Sequence, residues 1–362
     1  MPNVYAVIMA GGVGSRFWPR SLEKNPKQLL EIVGKGTLIQ NTVRRLTDII
    51  EPSNILIVTN RIQKTIVAKQ LPQIPADNII TEPLGRNTAP CIGLASLFIR
   101  RRDPDAVMVV LPADHIVQDE EEFKRVLRVA IWVAYESRHL ITIGIEPRRP
   151  ETGYGYIQVI NEDDGTNPYF GRGVFKVKTF AEKPNVPTAQ RFLESGDFLW
   201  NSGVFIWCVN TILEEIQKIL PDLYAELMKI EAVIGSKHYE HTLETVYRII
   251  RAISVDYGVM EKAHQVYVIR GDFGWSDVGS WDEVYRLSGK DDQGNSITGR
   301  AFLKDTKNAL IFSPDKLVAA LGIEDVIVIN TEDALLVCKL GRSQDVKEVV
   351  DYLRRKQMYD YL

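Results

Sequence analysis

Cysteine is scarce in this chain: three residues in 362, Cys91, Cys208 and Cys338, far apart and each in an apolar stretch. They make neither a CxxC site nor a disulfide framework, so buried free thiols in a reducing compartment are expected. No apolar run approaches the roughly 18 residues of a membrane-spanning helix. The start, Met1-Pro2-Asn3-Val4-Tyr5, lacks the basic opening of a signal peptide and enters a strand directly. A cytoplasmic protein is the expectation. Charge of one sign is also missing: 44 Lys plus Arg against 47 Asp plus Glu leave a formal net charge of −3. That balance gives no electrostatic footprint for nucleic acid or an anionic membrane. There is no exact internal repeat and no low-complexity linker. What remains is an ordinary globular composition, 45% hydrophobic and 25% charged, long enough for one large domain and a smaller one.

The densest signal lies near the start, Ala6 to Gln28, AVIMAGGVGSRFWPRSLEKNPKQ. Val4 to Met9 predicts a buried strand. It breaks into Gly11-Gly12-Val13-Gly14, then Arg16, then Pro26-Lys27. Glycines after a first strand let backbone N–H groups approach an anion closely, because no Cβ intervenes. Arg16 and Lys27 supply neutralising charge, one as a planar fork and the other as a point charge. The arrangement suits a polyphosphate. It is not a P-loop, because no G-x-x-x-x-G-K-[ST] string occurs. Nor is it a dinucleotide fingerprint, because Ser15-Arg16-Phe17 stands where the third glycine is needed. A glycine turn with no ligand is the bland alternative.

Further along, strands and helices alternate. Ile55–Val58 and Ala106–Leu111 predict buried strands, with a helix at Ala89–Arg101 between them. Glu120–Ala134 predicts a helix with an acidic first turn and one apolar face: Phe123, Val126, Leu127, Ala130, Ile131 and Ala134. Strands follow at Leu140–Ile145, Tyr156–Val159, Val174–Phe180 and Val204–Trp207, and helices at Thr211–Leu220 and Leu243–Ile253. Gly153-Tyr154-Gly155-Tyr156 predicts a loop entering a strand. The pattern implies an α/β fold with a doubly wound, mixed but mostly parallel sheet. Ligands of such sheets bind at the carboxyl ends of the strands, where the glycine loop and the Pro112-Ala113-Asp114-His115 turn both fall. After about Gly289 the texture changes. Short β-type pieces appear at Ala309–Phe312, Leu317–Leu321, Val326–Asn330 and Ala334–Cys338, before a final helix with Val346, Val349, Val350 and Leu353 on one face. Residues 1–289 are expected to form the main domain. Residues 290–362 are expected to form a small β-rich domain, its strands either β-helix coils or a small sandwich.

The string G-G-x-G-x-R-x-x-P…P-K resembles the signature of the sugar nucleotidyltransferases. Five more segments are similar to that family: Thr81–Pro90 (TEPLGRNTAP), Leu111-Pro112-Ala113-Asp114-His115, Glu182-Lys183-Pro184, Trp200-Asn201-Ser202-Gly203, and Gly274-Trp275-Ser276-Asp277-Val278-Gly279-Ser280-Trp281. Asp256–Glu261 (DYGVME) is a weaker sixth. Together they look like the guanylyl subgroup that forms GDP-mannose, and the likeness runs from end to end with the motifs in order.

The resemblance implies a nucleotide-diphospho-sugar transferase fold with a β-helix-like tail, GTP and mannose 1-phosphate as substrates, and GDP-mannose and pyrophosphate as products. Arg16 and Lys27, with Gly11 and Gly12 beside them, would hold the pyrophosphate. Asp114 and Asp277, on separate loops, would share one Mg²⁺ whose octahedron is completed by water and phosphate. The bland readings are a helix cap for Asp114 and a turn aspartate for Asp277. Lys183 would meet the sugar phosphate, with Pro184 biasing it to an extended backbone; otherwise it is a solvated lysine. Glu82, Gly85, Arg86 and Asn87 lie on the loop that the family places at the base, and a capping role for Asn87 or Thr88 competes. Gly153, Glu182, Asn201 and Asp256 match positions facing the hexose, whose hydroxyls are held by carboxylates and amides. Trp200, Trp207, Trp275 and Trp281 are expected in core or pocket wall, and His115 has no partner spacing for acid–base work.

Two alternatives stay open: a nucleotidyltransferase for another sugar 1-phosphate, or a non-catalytic sugar-nucleotide-binding subunit. The presence of Arg16, Lys27, Asp114, Lys183 and Asp277 weighs against the second. The 70-odd residues after Gly289 are too few for a fused mannose-6-phosphate isomerase barrel, so no isomerase reaction is expected. The β-rich tail, with its strand edges, suggests self-association as a homodimer.

Overall fold

Val4–Met9 forms the strand its apolar run predicts, and it sits inside a nine-stranded sheet. The computed structural model describes residues 2–12, 14–163 and 165–362; Val13 of the glycine loop lies outside them. The strands are β1 (Val4–Met9), β2 (Ile55–Asn60), β3 (Ile79–Glu82), β4 (Val107–Pro112), β5 (Leu140–Ile145), β6 (Gly155–Val159), β7 (Val174–Glu182), β8 (Phe198–Cys208) and β9 (Val266–Gly271). They lie in the order β3-β2-β1-β4-β8-β5-β9-β7-β6. β1 to β4 pair in parallel, and so do β5 and β9. β8 enters antiparallel between β4 and β5, and β6 and β7 pair antiparallel with each other and with their neighbours. The sheet is thus mixed, as expected, but its parallel share is smaller: the wound part is the half that starts at the N-terminus. β8 is 11 residues long, far longer than the predicted Val204–Trp207, because its polar Asn201 and Ser202 interrupt the apolar pattern without ending the ladder.

Helices cover this sheet by burying one face. Glu120–Ser137 buries Phe123, Val126, Leu127, Ala130, Ile131 and Ala134, the face its periodicity marks. Its cap is Asp119, whose carboxylate accepts from the Glu122 N–H, so the cap role suggested for Asp114 is already filled. Thr88–Arg102 and Val209–Ile219 pack into the main core with Trp207, Tyr247 and Leu227.

Packing divides the chain differently from a single cut at Gly289. One compact unit contains residues 1–11, 43–113 and 117–275; the other contains 12–42, 114–116 and 276–362. The second unit therefore gathers the glycine-loop segment, Asp114 and everything after Trp275. It has its own core, in which Phe17, Trp18, Trp281, Leu310, Ile327, Val346, Val350 and Leu353 are buried together.

The tail strands of this unit are β10 (Ser296–Lys304), β11 (Leu310–Leu321), β12 (Val326–Asn330) and β13 (Leu335–Lys339), in that order. β10, β11 and β12 run parallel although only short turns join them. Residues pair with partners one coil further on, Ser296 with Leu310 and Leu310 with Ile327, which is the geometry of β-helix coils rather than of a sandwich. β13 closes the stack antiparallel. The two predicted pieces Ala309–Phe312 and Leu317–Leu321 are one strand, because its bend is absorbed by a register shift between Gly299 and Ala301. Gly299 has φ +102°, and a Cβ there would lie 1.9 Å from the Ser313 carbonyl oxygen, so only glycine fits the corner.

Candidate active site

The second unit builds a cleft of about 310 Å³ lined by Gly14, Ser15, Arg16, Phe17, Lys27, Asp114, His115, Asp277, Val278, Gly279 and Lys347. Four chain segments distant in sequence line it, and the first three meet for identifiable reasons. Ile116 and Ser276 exchange two backbone hydrogen bonds, of 2.8 and 3.1 Å, which set Asp114 and Asp277 on adjoining turns. Ser276 Oγ accepts from the Val278 N–H and donates to Glu283, bending the chain so that Val278 adopts φ +46°. Lys27, only 4% exposed, donates to Asp114 Oδ2 at 2.8 Å and to the Asp277 carbonyl at 2.6 Å. Gly14 packs against it with φ +67°, and a Cβ there would stand 2.5 Å from the Lys27 Cβ. Gln28 ties the turn down by donating to the Gly12 carbonyl.

Burial alone would raise the Asp114 carboxyl pKa, but the Lys27 ammonium and His115 prevail and hold it below the usual carboxylate range. Asp277 lines the same cleft, its carboxylate wedged beside Gly279. Among the described residues no three His, Cys, Asp or Glu side chains gather as a complete metal cage. A cation placed between Asp114 and Asp277 therefore has to draw further oxygens from a ligand or water.

The first unit holds two other clusters. Around Glu82, at the end of β3, the carboxylate accepts from Tyr247 Oη at 3.0 Å and its other oxygen faces Gly11. Burial raises its pKa to about 7. Arg86 spends Nε and Nη2 on the carbonyls of Tyr247 and Arg248. It thus caps the end of the helix Tyr239–Ile249, which stops short of the predicted Ile253 because the Ile253 N–H turns to the Arg86 carbonyl. Asn87, at φ +68°, caps the helix Thr88–Arg102 through Oδ1, and Thr88 Oγ1 accepts from Val255 N–H. The capping alternative is thus realised for Asn87, and the Arg86 guanidinium serves first as a structural clamp. Gly85 is exposed on the loop between Glu82 and Arg86, with open space where a Cβ would stand.

The second cluster sits where β6, β7 and β8 meet. Asn201 Nδ2 donates to Asp256 Oδ1 at 2.8 Å, and its Oδ1 accepts from Thr142 Oγ1 and Gly203 N–H. Glu182 pairs with Lys183. Burial, aided by the Glu182 charge, raises the Asp256 carboxyl pKa to about 6. Glu182, Asn201 and Asp256 thus come together as the sequence implied. Lys183 differs in backbone: its φ is +48°, not extended. The residue before a proline is pushed out of the right-handed helical region, and here it turns left-handed as β7 ends. Gly153 also differs. It lies exposed, bonded to Glu151, whereas Gly155 is the glycine at the cluster, where a Cβ would meet Glu182 Oε2 at 2.4 Å. The G-x-G pairing of Gly153 and Gly155 was the available signal. Trp207 and Trp281 are core, and Trp200 and Trp275 flank Tyr154 at ring separations of 5.2 and 5.0 Å. Lys347, on the final helix, was missed by sequence reasoning altogether: no motif surrounds it. No helix is long and apolar enough to cross a membrane among the described residues.

Comparison with known proteins gives a consistent answer. Residues 5–294 match the nucleotidyl transferase family model, and residues 299–353 match the mannose-phosphate isomerase/GMP-like β-helix domain. A mannose-1-phosphate guanylyltransferase of Klebsiella pneumoniae is 42% identical over 98% of this chain and 75% of the relative. One from Escherichia coli is likewise 42% identical, over 98% of this chain and 75% of its own length. A crystal structure from Thermus thermophilus, titled mannose-1-phosphate geranyltransferase, superposes with TM-score 0.85 at 34% identity, covering 97% of this chain and 99% of that one.

Proposed function

Since the chain belongs to the nucleotidyl transferases, and among them to the mannose-1-phosphate guanylyltransferases, we propose that it transfers GMP from GTP to α-D-mannose 1-phosphate. A phosphate oxygen of the sugar phosphate bonds to the α-phosphorus of GTP in line. The bond from that phosphorus to the β-phosphate oxygen breaks, and pyrophosphate leaves with GDP-mannose as the other product. The observation that carries the reading is the Lys27–Asp114–Asp277 arrangement: a buried ammonium, two carboxylates and Arg16 on one cleft. Such charge density suits a polyphosphate, and it needs no general base because the attacking oxygen is already ionised.

The residues act mostly by positioning and charge neutralisation. Arg16 and Lys27, with the Gly11 and Gly12 N–H groups, hold the departing pyrophosphate. Lys183 orients the attacking phosphate. Glu182, Asn201 and Asp256 take the hexose hydroxyls, and Gly155 leaves them room. Glu82, Gly85 and the remaining polar atoms of Arg86 and Asn87 serve the base.

Asp114 and Asp277 fit Mg²⁺: both are hard oxygen donors, they share one cleft, and such a cation needs only one or two carboxylates alongside phosphates and water. Held there, Mg²⁺ supplies charge neutralisation and a fixed phosphate geometry. The proposal extends to a cytoplasmic homodimer. Exposed apolar residues on the tail strands, Phe302 at 56%, Leu335 at 57% and Val337 at 60%, support self-association.

The test is pyrophosphate release by the purified chain, with mannose 1-phosphate or glucose 1-phosphate against GTP, UTP, dTTP and ATP. Release confined to mannose 1-phosphate with GTP, and abolished by EDTA, is the expected result. Release with another pair would keep the mechanism and reassign sugar or base. No release from folded protein would favour a sugar-nucleotide-binding subunit.

A further inference from the structure

Lys347 stands in the first turn of the helix Val346–Arg355 and lines the same cleft as Arg16, Lys27, Asp114 and Asp277. Its position is fixed from the other side of the helix. Val346, Val350 and Leu353 are buried in the core that holds Phe17 and Trp281. Just upstream, Asp282 accepts from the N–H groups of Gly341 and Ser343. The backbone is thus anchored while the Lys347 side chain is exposed. Among the described residues it forms no ion pair, whereas Lys27 and His115 of the same cleft both pair with Asp114.

A lysine in the first turn of a helix faces the positive end of the helix dipole, which disfavours it. The cleft explains its presence. Lys27 donates to Asp114 and to the Asp277 carbonyl, which leaves one N–H of its ammonium for a phosphate. Arg16 and Lys27 balance Asp114 and Asp277 until a cation joins the two carboxylates. Lys347 makes the lining cationic.

We propose that Lys347 is a phosphate-binding residue of the reaction, its ammonium meeting the terminal phosphates of the nucleotide, which leave as pyrophosphate. This rests on the reading of the cleft given above. It also gives the β-rich tail a part in substrate binding besides any role in assembly.

The test compares Lys347→Ala, Lys347→Arg and Lys356→Ala with the unmodified chain. Lys356 lies at the far end of the same helix and outside the cleft, so its loss controls for charge alone. Two readouts are used: steady-state kinetics in both directions, and calorimetric binding of magnesium pyrophosphate. Lys347→Ala is expected to raise KM for GTP and for pyrophosphate roughly tenfold, as loss of one charged hydrogen bond does. KM for mannose 1-phosphate and the thermal midpoint stay put, Lys347→Arg recovers most of the loss, and Lys356→Ala changes nothing. Unchanged GTP and pyrophosphate constants in Lys347→Ala would overturn the proposal while leaving turnover intact. If the unmodified chain shows no turnover, the function reading fails, and pyrophosphate calorimetry still decides Lys347: equal affinity in both proteins refutes it. A loss that appears equally in Lys356→Ala would also refute it.

Discussion

The site carboxylates of the two units are shifted in opposite directions. In the second unit Asp114 is kept ionised below the usual carboxylate range by Lys27 and His115, despite burial. In the first unit Glu82 and Asp256 are pushed up, to about 7 and about 6, because burial dominates and the partners are a tyrosine and an asparagine. The difference matches two recognition problems. Phosphates and a cation need fixed charge. Base edges and hydroxyls need hydrogen-bond acceptors that tolerate a drier setting.

The largest effect expected from breaking this contrast is at Asp114. Asp114→Asn removes the charge that Lys27 is built around, and turnover should fall on the order of 10²–10³-fold, as for loss of one strong electrostatic contact. Circular dichroism should show the fold intact. Turnover close to normal would remove Asp114 from the chemistry.

Gly155→Ala sharpens the first-unit side. Its Cβ would displace the Glu182 carboxylate, 2.4 Å away, so KM for the sugar phosphate should rise about tenfold with KM for GTP little changed. An equal rise in both constants would mean general damage.

The last expected effect is in stability against pH rather than in catalysis. Glu82 and Asp256 have folded values above the ordinary 4.5 and 3.8, so the unfolded chain loses its protons first. Their cost appears as pH rises above those ordinary values and is complete above about 7. Glu82→Gln should therefore be relatively more stable at about pH 8 than at about pH 4, by about 3 kcal/mol, in urea melts of ligand-free protein. Asp114 has the opposite sign: its contribution is present above the ordinary 3.8 and is lost as pH falls through its lower folded value. A pH-independent difference for Glu82→Gln would contradict the buried assignment.

Much of this was legible in the chain. The carboxylates sit in short motifs, and Gly-rich turns after apolar strands mark strand ends. The Lys27–Asp114 pair was not predictable as a bond, because it depends on the Ile116–Ser276 bridge, a contact 160 residues apart in sequence. Arg86 looked like a base contact because a motif reports residue type and not the carbonyls its guanidinium meets. Lys347 had no motif at all. It reaches the cleft only because the tail coils back onto Phe17 and Trp281, which makes the second unit discontinuous. The Lys183 backbone was missed because a proline excludes one conformation without choosing between the two that remain.

The most direct test of the contrast is paired steady-state kinetics of Asp114→Asn and Asp256→Asn, varying MgGTP and mannose 1-phosphate separately. The account predicts that Asp114→Asn loses kcat with MgGTP, while Asp256→Asn raises KM for mannose 1-phosphate and keeps most of kcat. The reverse pattern, or the same pattern in both variants, would contradict the division of labour between the carboxylate shifted down and the carboxylate shifted up.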